Sequence, residues 1–173
     1  MSKSLVVYFS RTGEQYGVGV ISKGNTAIMA EIIAQITHAD LFEIKLQKDT
    51  YPEGYTPLTE VAKKEKEDNV RPAITGDVSN FDNYDTIFVG GPVWWSDLPM
   101  AMYTFIEKHD WTGKKVIPFA THEGSGISDI PENLQNAVKV SVFEGLALYG
   151  HELQKQPDIA GEKIKTWLAQ LGF

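Results

Sequence analysis

Three short groups of residues have the types and spacing for binding chemistry. Ser10, Arg11, Thr12 and Gly13 follow a short apolar run, and Gly24, Asn25 and Thr26 open a helical pattern. Hydroxyls and amides beside glycine at a helix start make an anion site. The free N–H groups and positive dipole of a first turn attract a phosphate, and glycine lets the backbone come close. Pro92, Val93, Trp94 and Trp95 follow Gly90-Gly91 at the end of a second apolar run. Two adjacent indoles do not easily share one core, so one packs inward while the other offers its face to a flat heteroaromatic ring. Thr121, His122, Glu123, Gly124, Ser125 and Gly126 form the third group, where Gly124 and Gly126 can aim backbone N–H groups at an acceptor. His122 can exchange a proton near neutrality or simply make a local hydrogen bond, and Glu123 reads as a solvated carboxylate. Taken singly, the groups also fit a helix cap, a pair of packing residues, and a turn before a helix capped by Ser128.

Other chemistries fail on their own requirements. Lys23-Gly24-Asn25 is not the Gly-Lys-Ser/Thr of a phosphate-binding P-loop. Gly17-Val18-Gly19 begins a dinucleotide fingerprint, but Ser22 stands at the third glycine position and no strand immediately precedes it. The chain has no cysteine, which removes disulfides, thiolate metal sites and cysteine nucleophiles. No His, Asp and Glu set has metal-ligand spacing, and no nucleophile elbow is visible. His38, His109 and His151 fall at element ends, and Asp82 and Asp85 read as loop caps. A net charge of -7, from 16 basic and 23 acidic side chains, disfavours nucleic acid and anionic membrane as partners. With 42% hydrophobic residues the 173-residue chain suits one globular domain, residues 1–173. Its N-terminal apolar run is too short for a signal peptide, and no segment reaches the length of a membrane span, so it is read as soluble and cytoplasmic.

The elements that must position these groups alternate. Leu5–Phe9 is a buried strand. Ile28, Ile32 and Ile36 mark a helix from Asn25, and Asp40–Leu46 alternates as a strand nearer a sheet edge. Thr56–Asp68 reads as a helix ending in a solvated charge run, and residues 71–83 as loop. A strand at Thr86–Gly90, a helix at Leu98–His109 and a strand at Lys115–Ala120 come next, with Pro118 implying a bulge or a lost ladder bond. Val138–Phe143 with Leu146–Leu148 supplies a fifth strand, and Pro157–Leu171 a closing helix. Such alternation predicts a parallel sheet with helices on both faces, and ligands beyond the carboxyl ends of its strands. The three groups come directly after strands one, three and four.

Without residues 14–24 the first group reads Phe9-Ser10-Arg11-Thr12-Gly13-Asn25-Thr26, which resembles the phosphate loop of the flavodoxin family, T/S-x-T-G-N-T. Pro92-Val93-Trp94-Trp95 is similar to that family's G-x-P-x-W-W, and Thr121–Gly126 to its T-x-x-G-S-G. The resemblance runs from Leu5 to Leu171. It implies a flavodoxin-like α/β fold, a doubly wound five-stranded parallel sheet in the order 2-1-3-4-5 with helices on both faces. It also implies FMN as a non-covalent cofactor, with its phosphate on Ser10–Gly13 and Gly24–Thr26, its N5 edge by the tryptophan loop and its pyrimidine end by Thr121–Gly126. Gly91 could then permit a peptide flip toward N5. The implied role is electron transfer with a redox partner protein or a small-molecule acceptor; the alternative is an NAD(P)H-dependent FMN reductase of the quinone-reductase type. A phosphate-holding module without redox chemistry leaves the tryptophans and the third loop without a use. The chain departs from the family in residues 14–24, an insertion placed near the cofactor rim, and in lacking the tyrosine that covers the outer flavin face. Tyr16, Trp95 or His122 could take that place.

Overall fold

The computed structural model describes residues 2–173. Strand β1 (Ser4–Tyr8) is buried along its whole length, as its unbroken apolar run requires. A hairpin, β2 (Gly13–Gln15) and β3 (Gly19–Ile21), separates it from helix α1 (Asn25–Thr37). Strand β4 (Asp40–Glu43) precedes a short antiparallel pair, β5 (Lys45–Leu46) and β6 (Ile74–Thr75), which encloses helix α2 (Tyr55–Glu67) in sequence. Then come β7 (Thr86–Pro92), α3 (Met100–Ile106), β8 (Lys115–His122), α4 (Ile130–Val138), β9 (Leu146–Tyr149), α5 (Gly150–Lys155) and α6 (Pro157–Gln170). The main sheet is parallel, in the order β4-β1-β7-β8-β9; counting only its own strands, this is 2-1-3-4-5. The fold class expected from the alternation and the family resemblance is the one observed.

The side-chain period of two divides the core. Leu5, Val7, Ile87 and Val89 face α3 and α4, while Val6, Tyr8, Phe88, Ile117 and Phe119 face α1 and α6. Helix α2 is different. Its inner residues Leu58 and Ala62 are buried but belong to neither core. They lie beyond the carboxyl end of the sheet, where α2 forms one wall of a cleft.

The local expectations need four corrections. Asp40–Leu46 is not one strand: Ile44 donates to Tyr8 O at 2.7 Å, and Lys45–Leu46 then leaves the main sheet to pair with β6. Residues 71–83 are not all loop, since they hold β6 and a 3-10 turn at Phe81–Asn83. Val138 ends α4 rather than opening a strand, because Ile130, Leu134 and Val138 recur every four residues as a helical stripe. That helix starts at Ile130 after Asp129, and Ser128 lies before it at φ 53°. Within Val138–Phe143 the contact with the sheet is a single bridge, Val142 with Val116.

Pro118 explains why the fifth strand starts late. Val116 O accepts from Phe143 N at 2.8 Å, so Val116 and, two residues on, Pro118 face the fifth strand. Proline has no N–H to offer there. The lost bond is real, and the fifth strand carries one extra residue opposite it, a bulge between Val116↔Val142 and Phe119↔Leu146, while β8 stays in register with β7 through Val89↔Pro118. Pairing with β9 resumes at Phe119↔Leu146. Gly145 sits against the gap: a Cβ there would stand 2.6 Å from Pro118 O and 2.6 Å from Ile127 Cδ1.

A pair of glycine substitutions tests this packing. Gly145→Ala should destabilise by about 2 kcal/mol through overpacking. Gly161→Ala, inside α6 with nothing within 4 Å of its new Cβ, should stabilise by about 0.5 kcal/mol. Thermal melts should therefore move in opposite directions, down by about 4–8 °C for the first variant and up by about 1–2 °C for the second. A Gly145→Ala protein as stable as its parent would contradict this account of the fifth strand.

Candidate functional site

A cleft of about 410 Å³ lies beyond the carboxyl ends of β1, β7 and β8. At one end is the start of α1. Ser10 Oγ accepts the Ala27 N–H at 3.0 Å, and Ile28 N donates to Gly24 O. The N–H groups of Asn25 and Thr26 remain for a ligand or water, as at any unfilled helix N-terminus. Thr26 is buried, and its hydroxyl shares a 2.8 Å hydrogen bond with that of Thr121, tying the helix start to the end of β8. Asn25 Oδ1 accepts from Gln154 Nε2 at 2.8 Å, which adds α5 to the same joint.

The two halves of the first loop meet despite the hairpin between them. A Cβ on Gly24 would fall 2.0 Å from Ser10 Oγ and 2.7 Å from Arg11 O, so only glycine lets the chain return to where it left. Arg11 lines the cleft, but its guanidinium is turned away from the helix start. It donates to Pro52 O at 2.9 Å and lies over the Tyr51 ring at 5.6 Å, with Nε buried and without a partner. Ser10, Thr12 and Gly13 line a second, wider cleft on the far side of Arg11. Gly24, Gly124 and Gly126 are not among the lining residues of the first cleft either. Asn25, Thr26, Pro92, Val93, Trp94, Trp95, Thr121, His122, Glu123 and Ser125 all are.

The tryptophans divide their tasks. Trp94 meets Phe9 edge-on at 5.3 Å and Tyr51 edge-on at 5.5 Å, which fixes its plane. Trp94 and Asp97 exchange both backbone hydrogen bonds, closing a two-residue turn with Trp95 at φ 54° and Ser96 at φ 67°. Such a turn normally takes glycine or asparagine, so two other residues there hold strain of about 1 kcal/mol each. Buried Asp97 secures it, accepting from Leu98 N and from the Tyr103 hydroxyl at 2.6 Å. Burial foremost, with Asp97 beside it, pushes the Tyr103 hydroxyl pKa up, so it stays a donor. Trp95 is thereby presented to α2. Its Nε1 donates to Thr59 O at 2.7 Å and Lys63 sits 5.4 Å over its ring, yet 46% of the residue remains exposed.

Gly90 and Gly91 are not a hinge. Both belong to β7 and are paired with β8, and Gly90 O also accepts from Phe9 N at 3.1 Å, so a peptide flip would break the ladder. Gly90 is small because a Cβ would strike the Phe119 ring at 2.4 Å.

The third loop is also built differently from the expectation. The Gly124 and Gly126 N–H groups do not point into the cleft; both donate to Nδ1 of His122, at 2.8 and 3.2 Å. Glu123 is not solvated. Its carboxylate accepts the His151 N–H at 2.7 Å and pairs with His151 Nδ1 at 2.7 Å, holding the first turn of α5.

The insertion supplies the remaining wall. Glu14 accepts from Tyr55 N at 2.8 Å, and the Tyr16 ring lies 5.5 Å from that of Tyr55. The hairpin is thus docked on the start of α2, and Gln15 and Tyr16 join Tyr55, Leu58, Thr59 and Ala62 in the cleft lining. The helix residues were missed because an apolar stripe facing a cleft has the same period as one facing a core. Among the described residues, no group of three or more His, Cys, Asp or Glu could hold a metal ion.

The flavodoxin family profile matches residues 3–171. A crystal structure of a candidate flavoprotein from Bacteroides eggerthii is 30% identical, with a TM-score of 0.78, covering 100% of this chain and 99% of that one. A second candidate flavoprotein, from Bacteroides uniformis, is 31% identical with a TM-score of 0.77, covering 97% of this chain and 98% of the other. A Lactobacillus acidophilus flavoprotein, solved in complex with FMN, shares the fold at 21% identity and a TM-score of 0.67, with 91% of this chain and 99% of that one covered. No curated protein sequence matches significantly. Strand order, the cleft at the switch point and a match along almost the whole chain agree: the chain belongs to the flavodoxin family.

Proposed function

We propose that the protein binds FMN non-covalently in this cleft and works as an electron carrier in the cytoplasm, exchanging electrons with a redox protein or a small-molecule acceptor. The observation that carries the reading is the pairing of two features in one cleft: unfilled N–H groups at Asn25 and Thr26, and flat aromatic side chains from Tyr16, Tyr55, Trp94 and Trp95. A phosphomonoester suits the first and a tricyclic ring the second. The fit needs no metal and little positive charge, since Arg11 is directed elsewhere.

Bound FMN supplies one- and two-electron redox chemistry; the chain supplies its position and surroundings. Asn25 and Thr26 hold the phosphate by backbone N–H groups at the positive end of α1. Trp94, braced by Phe9 and Tyr51, limits the ring's tilt. Leu58, Ala62 and the hairpin exclude water on the α2 side, while Tyr16 and Trp95 form the exposed rim a partner would meet.

Asn25→Asp tests the phosphate end. Aspartate keeps the acceptor for Gln154 and suits a helix N-terminus, so the apoprotein should stay as stable as its parent. Its added charge beside the phosphate should weaken FMN by at least about tenfold in fluorescence titration. Unchanged affinity would remove the phosphate from α1. Rapid mixing with NAD(P)H separates carrier from reductase. A carrier's bound flavin bleaches only through a partner, whereas immediate bleaching with turnover on a quinone would replace the carrier reading by the reductase one.

A further inference from the structure

His122 is the one side chain of the third loop whose two ring nitrogens do different things. Nδ1 accepts two backbone N–H groups, from Gly124 and Gly126. An acceptor nitrogen carries no hydrogen, so in the neutral ring the hydrogen is on Nε2. Among the described residues nothing accepts from Nε2, and the residue lines the cleft. The ring itself is held at 4.5 Å against Tyr149, whose own ring lies 5.0 Å from His151.

We infer that His122 is a positioning and specificity residue of this cleft: its Nδ1 latches the loop Glu123–Gly126 into shape, and its Nε2–H is the donor that loop offers to a ring carbonyl of the bound flavin. This rests on the FMN reading above. It reverses the role expected of the loop. The two glycine N–H groups that could have met a flavin carbonyl are used to orient an imidazole, and the imidazole presents the donor in their place. A single N–H of fixed direction on a packed ring selects a ligand with a carbonyl at that edge, where mobile glycine amides would tolerate many.

The latch is pH-sensitive by construction, because a protonated Nδ1 cannot accept. The titratable groups facing the ring are Glu123 beside it, Tyr149 at the end of β9 and His151 on α5. Burial foremost holds the His122 imidazole below the ordinary histidine value, against an upward pull from Glu123 and with a further push down from His151. A lowered folded-state value means the fold favours the neutral ring. Its contribution is present above the free-imidazole value and is lost as pH falls through the folded one.

The test compares the wild type with His122→Asn, whose Oδ1 can replace Nδ1 as acceptor but which has no donor at the Nε2 position and no titration. In the apoprotein, ring 15N shifts should show the Nε2–H tautomer at pH 7.5, and the Gly124 and Gly126 amides should move in step with the ring as pH is lowered to 5. In His122→Asn those amides should keep their pH 7.5 positions and cease to titrate. Oxidised FMN should bind His122→Asn about tenfold more weakly than wild type at pH 7.5, for the lost hydrogen bond. Its affinity should then fall less steeply on acidification; the slope common to both proteins belongs to the phosphate, which titrates near pH 6. An Nδ1–H tautomer, or amides that ignore the ring's titration, would overturn the latch. Equal affinities at pH 7.5 would overturn the donor role. A wild type that binds no FMN overturns the flavin reading and the donor role with it, while the amide titration still decides the latch alone.

Discussion

The site depends on one contact: the return of Gly24 onto Ser10 and Arg11. A phosphate turn works only if the end of β1 and the start of α1 adjoin, so that side chains from the first can serve the free amides of the second. Here a hairpin is inserted between them, and the ends still touch closely enough to exclude a side chain at Gly24. Ser10 can therefore reach Ala27 across a gap of 17 in sequence. Once that joint is closed, Thr26 reaches Thr121 and Asn25 reaches Gln154, and the helix start, the end of β8 and α5 become one rigid corner.

The other side of the cleft is set by where the hairpin goes. With its ends pinned, it folds over the start of α2 through Glu14 and Tyr16. Helix α2, which adds nothing to either sheet core, gains in this way a neighbour that holds it as a wall. Trp95, forced outward by a strained turn, packs on the same helix one turn further on. The insertion is thus part of the cleft's construction. Of the three residues that could take the place of the missing tyrosine, all line the cleft, and Tyr16 and Trp95 do so in contact with α2.

The parallel sheet and the position of the cleft were legible in the sequence because they rest on periodicity and on strand and helix alternation, which are local; the strand order came from the family resemblance. The pairing of Ser10–Gly13 with Gly24–Thr26 was legible through the same resemblance, once residues 14–24 were set aside as an insertion. What escaped was set by contacts that residue type alone does not show. Glu123 looked like a free carboxylate because nothing local shows that His151 will come to lie beside it. Gly124 and Gly126 looked like ligand donors, but their partner is the preceding histidine, a matter of loop geometry rather than of residue type. The fifth strand was placed early because Val138, Val140 and Val142 alternate with Lys139 and Ser141 in the manner of a strand. Its first residue is claimed by a helical stripe, and Pro118 on the neighbouring strand has no N–H with which to extend the pairing past Phe143.

The central claim is that the first turn of α1 holds the phosphate of a flavin. Amide NMR of the 15N-labelled protein during FMN titration tests it most directly. The Asn25 and Thr26 amides should move the furthest and saturate together with the quenching of flavin fluorescence. If FMN binds while those two amides stay where they were, the phosphate lies elsewhere and the site described for it is wrong.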